Sequence, residues 1–223
     1  MTQRWVVVIK VAVWAACLAP WAWLVVRTLG IAGSLGANPQ EEILNVCGKT
    51  GLNLLMLTLA ITPVRRSTGW NRLIAFRRLL GLFAFFYLVL HFLTYALLDL
   101  GVARWPTLLE DIAERPYVTV GFTALMLLVP LAATSTQRLQ RRLGRNWVKL
   151  HRLVYVVGVL GIVHYWWQVK SKADVAEPLL YAVFLAVLFA ARLLHYRSVH
   201  AKAAVPPANQ RVEPPQPREK PSH

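Results

Sequence analysis

The sequence predicts an all-α membrane protein, a six-transmembrane-helix bundle, and three observations carry that prediction. Hydrophobic residues fill 57% of the 223 positions and charged residues only 16%, against about 25% charged in ordinary soluble domains. Six apolar stretches are each long enough to cross the roughly 30 Å hydrocarbon core as a helix of about 20 residues. They are continuously apolar instead of alternating, which excludes a membrane β-barrel. The net charge of +15, from 25 Lys and Arg against 10 Asp and Glu, falls in short blocks between those stretches. That is the pattern of membrane topology and not of a nucleic-acid-binding face.

The spans are expected near 6–29, 43–63, 79–98, 117–134, 150–168 and 178–196. In the first, Arg4 and Lys10 precede an apolar run that continues through Trp21, Trp23 and Leu24 without a small-x-small cleavage site, so it reads as a retained anchor. Cys17 in the first span and Cys47 in the second supply neither a disulfide framework nor an iron–sulfur ligand set, and read as small packing residues. The connection over 64–78 contains Arg65, Arg66, Arg72, Arg77 and Arg78. That over 135–152 contains Arg138, Arg141, Arg142, Arg145, Lys149 and Arg152. The other connections are acidic or mixed: Glu41 and Glu42; Arg104, Glu110, Asp111, Glu114 and Arg115; Lys170, Lys172, Asp174 and Glu177. By the positive-inside rule the arginine-rich loops and both termini face the cytoplasm.

On the opposite side "WPTLLEDIAERPY" (Trp105–Tyr117) reads as a short helix lying in the interface, with docking of a partner as its other reading. Tyr165, Trp166 and Trp167 read as an interfacial aromatic belt. No internal repeat is evident. Residues 1–200 thus form one six-helix domain, and the proline-rich, polar stretch 201–223 is expected to be a disordered cytoplasmic tail.

With topology set, each histidine has a depth. The third and fifth spans run parallel, from cytoplasm outward. His91 follows Arg77 and Arg78, at the inner start of the third span, by 14 and 13 positions; His164 follows His151, at the inner start of the fifth, by 13. His91 and His164 therefore sit at nearly the same level in the outer half of the membrane. Intramembrane ionisable residues are costly and usually functional. No Cys, Asp or Glu cluster accompanies the pair, which argues against zinc or a di-iron site. A haem between the third and fifth helices needs one axial nitrogen from each side, which this pair supplies. The competing reading is that each imidazole makes a polar helix contact to a backbone carbonyl.

His151 needs a partner at the inner level. Arg77 lies within about 40° of the helix face that carries His91, whereas Arg78 points elsewhere. Arg77 and His195 are both candidates. Arginine stays protonated, so it suits a haem propionate or an anionic lipid head group better than iron. Thirteen residues of ideal helix leave His151 and His164 about 140° apart, so both face the third span only if the helix is distorted. Gly158 and Gly161 lie between them and permit either a kink, close approach of a flat ring or plain helix packing.

At these residues the sequence becomes recognisable. "RRLLGLFAFFYLVLHFLTY" (Arg77–Tyr95), "TSTQRLQRRLGRNWVKLHRLVYVVGVLGIVHY" (Thr134–Tyr165) and "ITPVRR" (Ile61–Arg66) closely resemble the MsrQ family, also called YedZ. These are haem-binding membrane subunits of a bacterial methionine sulfoxide reductase system, within the wider ferric-reductase-like transmembrane group. In that group the third and fifth helices each carry two haem-ligating histidines. The fifth span keeps both, as His151 and His164; the third keeps His91, and Arg77 stands where its other histidine would be. The resemblance implies haem b, one or two per chain, held by His91, His164 and His151 with Arg77 nearby, and also FMN. It implies an electron-transfer subunit of the inner membrane rather than the catalytic subunit of the oxidoreductase system. Electrons would come from the quinone pool or a cytoplasmic flavin reductase and go to a periplasmic molybdopterin-containing partner, MsrP, which reduces methionine sulfoxide in oxidised proteins.

No G-x-G-x-x-G motif follows a strand and no soluble domain is large enough for a dinucleotide, so electrons arrive from another molecule. A flavin phosphate or quinone head group near Arg77, Arg78 and Lys149 competes with the simpler reading of those cations as topology and lipid signals. The alternative from another class is a six-helix transporter or channel with a histidine proton path and no haem. Broken helices and inverted repeats would favour it, and neither is evident.

Overall fold

The computed structural model describes residues 3–99, 105–169 and 175–203, and among these there is no strand. Six helical stretches have the length and composition to cross a membrane: Val7–Thr28, Pro39–Thr68, Asn71–Leu98, Pro116–Ala133, Arg145–Gln168 and Ala176–Val199. The chain divides into two units, residues 1–188 and 189–223.

Helix α1 (Gln3–Thr28) contains Pro20, which has no N–H to give the helix ladder. The break is bridged from outside. The hydroxyl of Tyr87 accepts from Trp21 N at 3.1 Å and donates to Cys17 O at 2.7 Å, joining the two groups an unbroken helix would have paired directly. Tyr87 is fully buried, and this contact ties α1 to the third span.

Helix α2 (Pro39–Thr68) starts on Asn38, whose side chain accepts from Glu41 N at 3.3 Å. Proline and glutamates fill the first turn, and the helix stops on Gly69 in the left-handed region at φ 72°. The 64–78 connection is therefore mostly helical: α2 runs on to Thr68, a 3₁₀ turn occupies Asn71–Leu73, and α3 (Ile74–Thr94) follows. One turn of π-helix, Tyr95–Asp99, extends α3 outward. Gly51 lets α2 and α3 approach closely, since a Cβ there would lie 2.7 Å from Leu88. In lipid such van der Waals contact replaces the hydrophobic drive of soluble cores.

The acidic segment forms α4 (Trp105–Glu114), and α5 (Pro116–Ala133) begins with Pro116 in its first turn. Asp111 is a buried polar side chain of α4: it accepts from the hydroxyl of Tyr95 and pairs with Arg115 at 3.1 Å. The 135–152 connection is not a loop. It holds α6 (Gln137–Leu143), Gly144 at φ 49°, and α7 (Arg145–His151).

The fifth span is interrupted. α7 ends at His151 and α8 (Leu153–Gln168) starts after Arg152. Around the break the amides of Arg152 and Tyr155 reach the carbonyls of Lys149 and Arg152, three residues back, at 3.2 and 3.1 Å. Each overwound residue turns about 20° more than an α-helical one and carries His151 toward the face of His164. The fifth span is thus distorted at Arg152, in the direction that lessens the angle between the two histidines. Gly158 serves packing: a Cβ there would come within 3.3 Å of Leu59 and 3.6 Å of Leu185.

Helix α9 (Ala176–Ala203) carries the sixth span. The expected tail begins within its last turn, and residues 204–223 lie outside the described residues, as do Arg104, Lys170, Lys172 and Asp174 of the outer connections. Within the first unit α2 packs along α3 and α5 along α8; the two hairpins meet where α3 touches α5 and α2 touches α8.

Candidate functional site

The meeting of the two hairpins brings His91 and His164 together. His91 projects from α3 and His164 from α8, and their ring centroids are 6.0 Å apart with planes at 87°. Each ring is fixed by one hydrogen bond to the other helix of its own hairpin. His91 Nδ1 lies 2.9 Å from Leu44 O on α2, and His164 Nδ1 lies 2.7 Å from Tyr117 O on α5. A carbonyl only accepts, so each Nδ1 carries the proton and each Nε2 keeps its lone pair.

This is the second-shell arrangement of a metal-ligating histidine, with one nitrogen donating to a carbonyl and the other available. It also tests whether a haem iron suits the pair. With metal–nitrogen bonds of ~2 Å and about 1 Å more to each ring centre, two imidazoles sharing one ion have centroids ~6 Å apart. The observed separation agrees. Among the described residues no group of three or more His, Cys, Asp or Glu is placed to hold a metal ion, which leaves the paired-imidazole arrangement as the fitting one. The polar contact to a backbone carbonyl, the competing reading of these histidines, is present at both, and it leaves the second nitrogen of each ring uncommitted.

Two glycines admit the rings. A Cβ at Gly48 would lie 2.8 Å from His91 Nδ1, and one at Gly121 would lie 2.7 Å from His164 Nδ1. Neither glycine nor the carbonyls of Leu44 and Tyr117 emerged from the sequence reading. A signal was there: each carbonyl residue precedes its histidine by 47 positions, and each glycine follows its carbonyl residue by one helical turn. The hairpins α2–α3 and α5–α8 therefore repeat one construction, which the divergent residues between these points conceal.

At the basic end, His151 is half-buried and interacts with the backbone of Leu131 on α5 as well as with its own helix. Its Nδ1 donates to Trp147 O at 3.1 Å, and its ring stacks on the Trp147 indole at 3.9 Å between centroids. Arg77 is half-buried and within electrostatic range of His151, whereas Arg78 is exposed. His195 belongs to the second unit. A cavity of about 530 Å³ opens beside Trp147, lined by Gln137, Gln140, Arg141, Gly144 and Val148.

Next to Gly48 on α2, Lys49 Nζ donates at 2.7 Å to Glu177 of the acidic end, and the Tyr165 hydroxyl donates to the same carboxylate oxygen at 2.6 Å. Tyr181 donates to Asn53 at 2.7 Å. Arg27 at that end is paired with Glu42. No Asp or Glu occurs between Ile43 and Leu98 or between Pro116 and Val169, so the arginines at the basic end have no carboxylate from those segments beside them.

Residues 47–162 match the family described as ferric reductase like transmembrane component; the match includes Arg77, His91 and His151 and stops just short of His164. The heme-binding subunit MsrQ of a protein-methionine-sulfoxide reductase from Ralstonia nicotianae is 52% identical over 186 residues, 83% of this chain and 84% of the relative. Proteins of the same name from Xanthomonas campestris pv. campestris and Xanthomonas axonopodis pv. citri are 49% and 47% identical, each over 92% of this chain and 97% and 96% of theirs. No solved structure matches the chain.

Proposed function

Because the chain belongs to the MsrQ family of protein-methionine-sulfoxide reductase heme-binding subunits, we propose that it is a b-type cytochrome of the bacterial inner membrane that relays electrons to a periplasmic catalytic subunit. The observation that carries this reading is the His91–His164 pair, whose two Nε2 atoms are free while both Nδ1 atoms are committed to carbonyls. A haem held there supplies one-electron transfer. His91 and His164 would hold that haem, each through the nitrogen that its backbone carbonyl leaves uncommitted, and with both imidazoles on the iron the group would supply electron transfer and not oxygen or substrate chemistry. The surrounding spans keep water out and hold both rings in one orientation.

Direction follows from charge. The arginine-rich end faces the cytoplasm and receives electrons, from the quinone pool or a cytoplasmic flavin reductase. The cavity beside Trp147 supports entry at this end, since Trp147 stacks directly on His151. His151 with Arg77 forms an inner site for a second haem, Arg77 serving a propionate because a guanidinium has no lone pair for iron. FMN, expected from the family, carries a phosphate that the same cations attract. The acidic end delivers electrons to an MsrP-like molybdopterin enzyme acting on methionine sulfoxide in periplasmic proteins.

Purified with haem available, the protein is expected to give a low-spin Soret band and a reduced α-band. His91→Ala and His164→Ala should each remove the spectrum of the outer haem, and His151→Ala should lower the haem-to-protein ratio. A wild-type protein without either band sinks the relay reading. Wild-type spectra in both outer variants remove the ligand assignment alone.

A further inference from the structure

Resting on the haem reading above and deepening it, we propose that Gly48 and Gly121 are positioning residues that set the reduction potential of the outer site. They do so by giving each axial histidine access to a backbone carbonyl. Leu44 and Tyr117 each stand four positions before a glycine, in α2 and α5. In an α-helix the carbonyl of residue i accepts from the amide of residue i+4, so these two carbonyls are already engaged by the amides of Gly48 and Gly121. A carbonyl has a second lone pair, directed outward. The side chain of residue i+4 normally covers that patch, because helical side chains lean over the turn that precedes them. Glycine leaves it bare, and the histidine of the neighbouring helix occupies the space with its Nδ1–H on the second lone pair, at 2.9 Å for His91 and 2.7 Å for His164.

Packing alone does not explain these two positions. Gly51 and Gly158 are the packing glycines, and what they admit is the aliphatic end of Leu88 or Leu59. At Gly48 and Gly121 the nearest atom to an added Cβ is Nδ1 itself, followed by Cε1 of the same ring. The methyl would strike the atom that donates the hydrogen bond. Both hairpins do this independently, and both act on the two imidazoles whose ring centroids lie 6.0 Å apart.

The chemical consequence has a definite sign. Donation from Nδ1–H to a carbonyl raises the basicity of Nε2. A more basic axial ligand favours ferric over ferrous iron and lowers the potential, through outer-shell hydrogen bonding of the kind that tunes such centres. Two such bonds act in the same direction. Moving a ring off its carbonyl weakens the bond and raises the potential.

The test uses full-length protein in detergent, with Gly48→Ala, Gly121→Ala and, as a size control, Gly161→Ala, whose Cβ would meet only Leu52 at an ordinary 3.5 Å. Potentiometric titration of the outer haem should show a roughly tenfold shift toward the ferrous form in each of the first two variants, about 59 mV upward for a one-electron couple. The control should titrate with the wild type. Wild-type potentials at both Gly48→Ala and Gly121→Ala overturn the proposal, as does an equal shift in the control. Should an alanine variant lose its haem, near-infrared magnetic circular dichroism of the ferric wild type decides. A ligand band displaced from neutral imidazole toward imidazolate supports the proposal, and a band at the neutral position overturns it. A wild-type protein with no haem at all would instead refute the functional reading on which this inference stands.

Discussion

Single side chains do distinct jobs along α3. Tyr87 and His91 are one turn apart and look to opposite partners: Tyr87 repairs the Pro20 break in α1, and His91 reaches the Leu44 carbonyl of α2. Removing the Tyr87 hydroxyl leaves Trp21 N and Cys17 O without their bridge in a buried setting. Such unsatisfied groups cost about 1–3 kcal/mol. Tyr87→Phe is therefore expected to loosen α1 and lower the thermal midpoint in detergent while the haem spectrum stays in place. Loss of the spectrum with no change in midpoint would assign Tyr87 to the haem site instead. His91 and His164 were legible as a pair from topology and depth alone. Gly48, Gly121 and the two carbonyl residues were not, because a backbone acceptor leaves no mark in side-chain chemistry and a membrane glycine looks like ordinary packing.

At the scale of elements, polar clusters at the acidic end differ in what they secure. Asp111 is buried and holds α4 against Tyr95 and Arg115. Lys49 and Glu177 are each nearly half-exposed, at 45% and 44%. Asp111→Ala leaves the half-buried Tyr95 hydroxyl without its acceptor and should cost about 1–3 kcal/mol, seen as new protease cleavage within α4. Lys49→Gln breaks an open ion pair and should cost ~0–1 kcal/mol, with no new cleavage. Equal sensitivity of the two would show that Lys49 does more than pair with Glu177. The interrupted fifth span belongs at this scale too. Counting residues from His151 to His164 showed that a regular helix would not aim both inward, and glycine marked Gly158 and Gly161 as places for the distortion. The turn instead tightens at Arg152, where Lys149, Arg152 and Tyr155 bond three residues apart. No special residue type marks that position.

Across the whole molecule the distribution of charge is the governing feature. Arginine and lysine gather at one end of the spans, while at the other Arg27 and Lys49 are paired with Glu42 and Glu177. Insertion should therefore be unidirectional. Leu109→Cys, at a position 70% exposed on α4, is expected to react with an impermeant maleimide in intact spheroplasts, and Arg141→Cys only after permeabilisation. The reverse pattern would invert the proposed path of electrons. Native Cys17 and Cys47 are buried and should stay silent in either case.

By itself the sequence determined the class of protein, six apolar helices with their orientation signal, and the matched depth of His91 and His164, because span length, loop charge and residue count are properties of the chain read along its length. Only the tertiary structure decided what each imidazole touches and which nitrogen is left for a ligand. Those depend on how the two helices of each hairpin pack, placing the Leu44 and Tyr117 carbonyls against rings 47 positions later. Two-body geometry of that kind is set by the faces the helices present to each other and not by any residue taken alone.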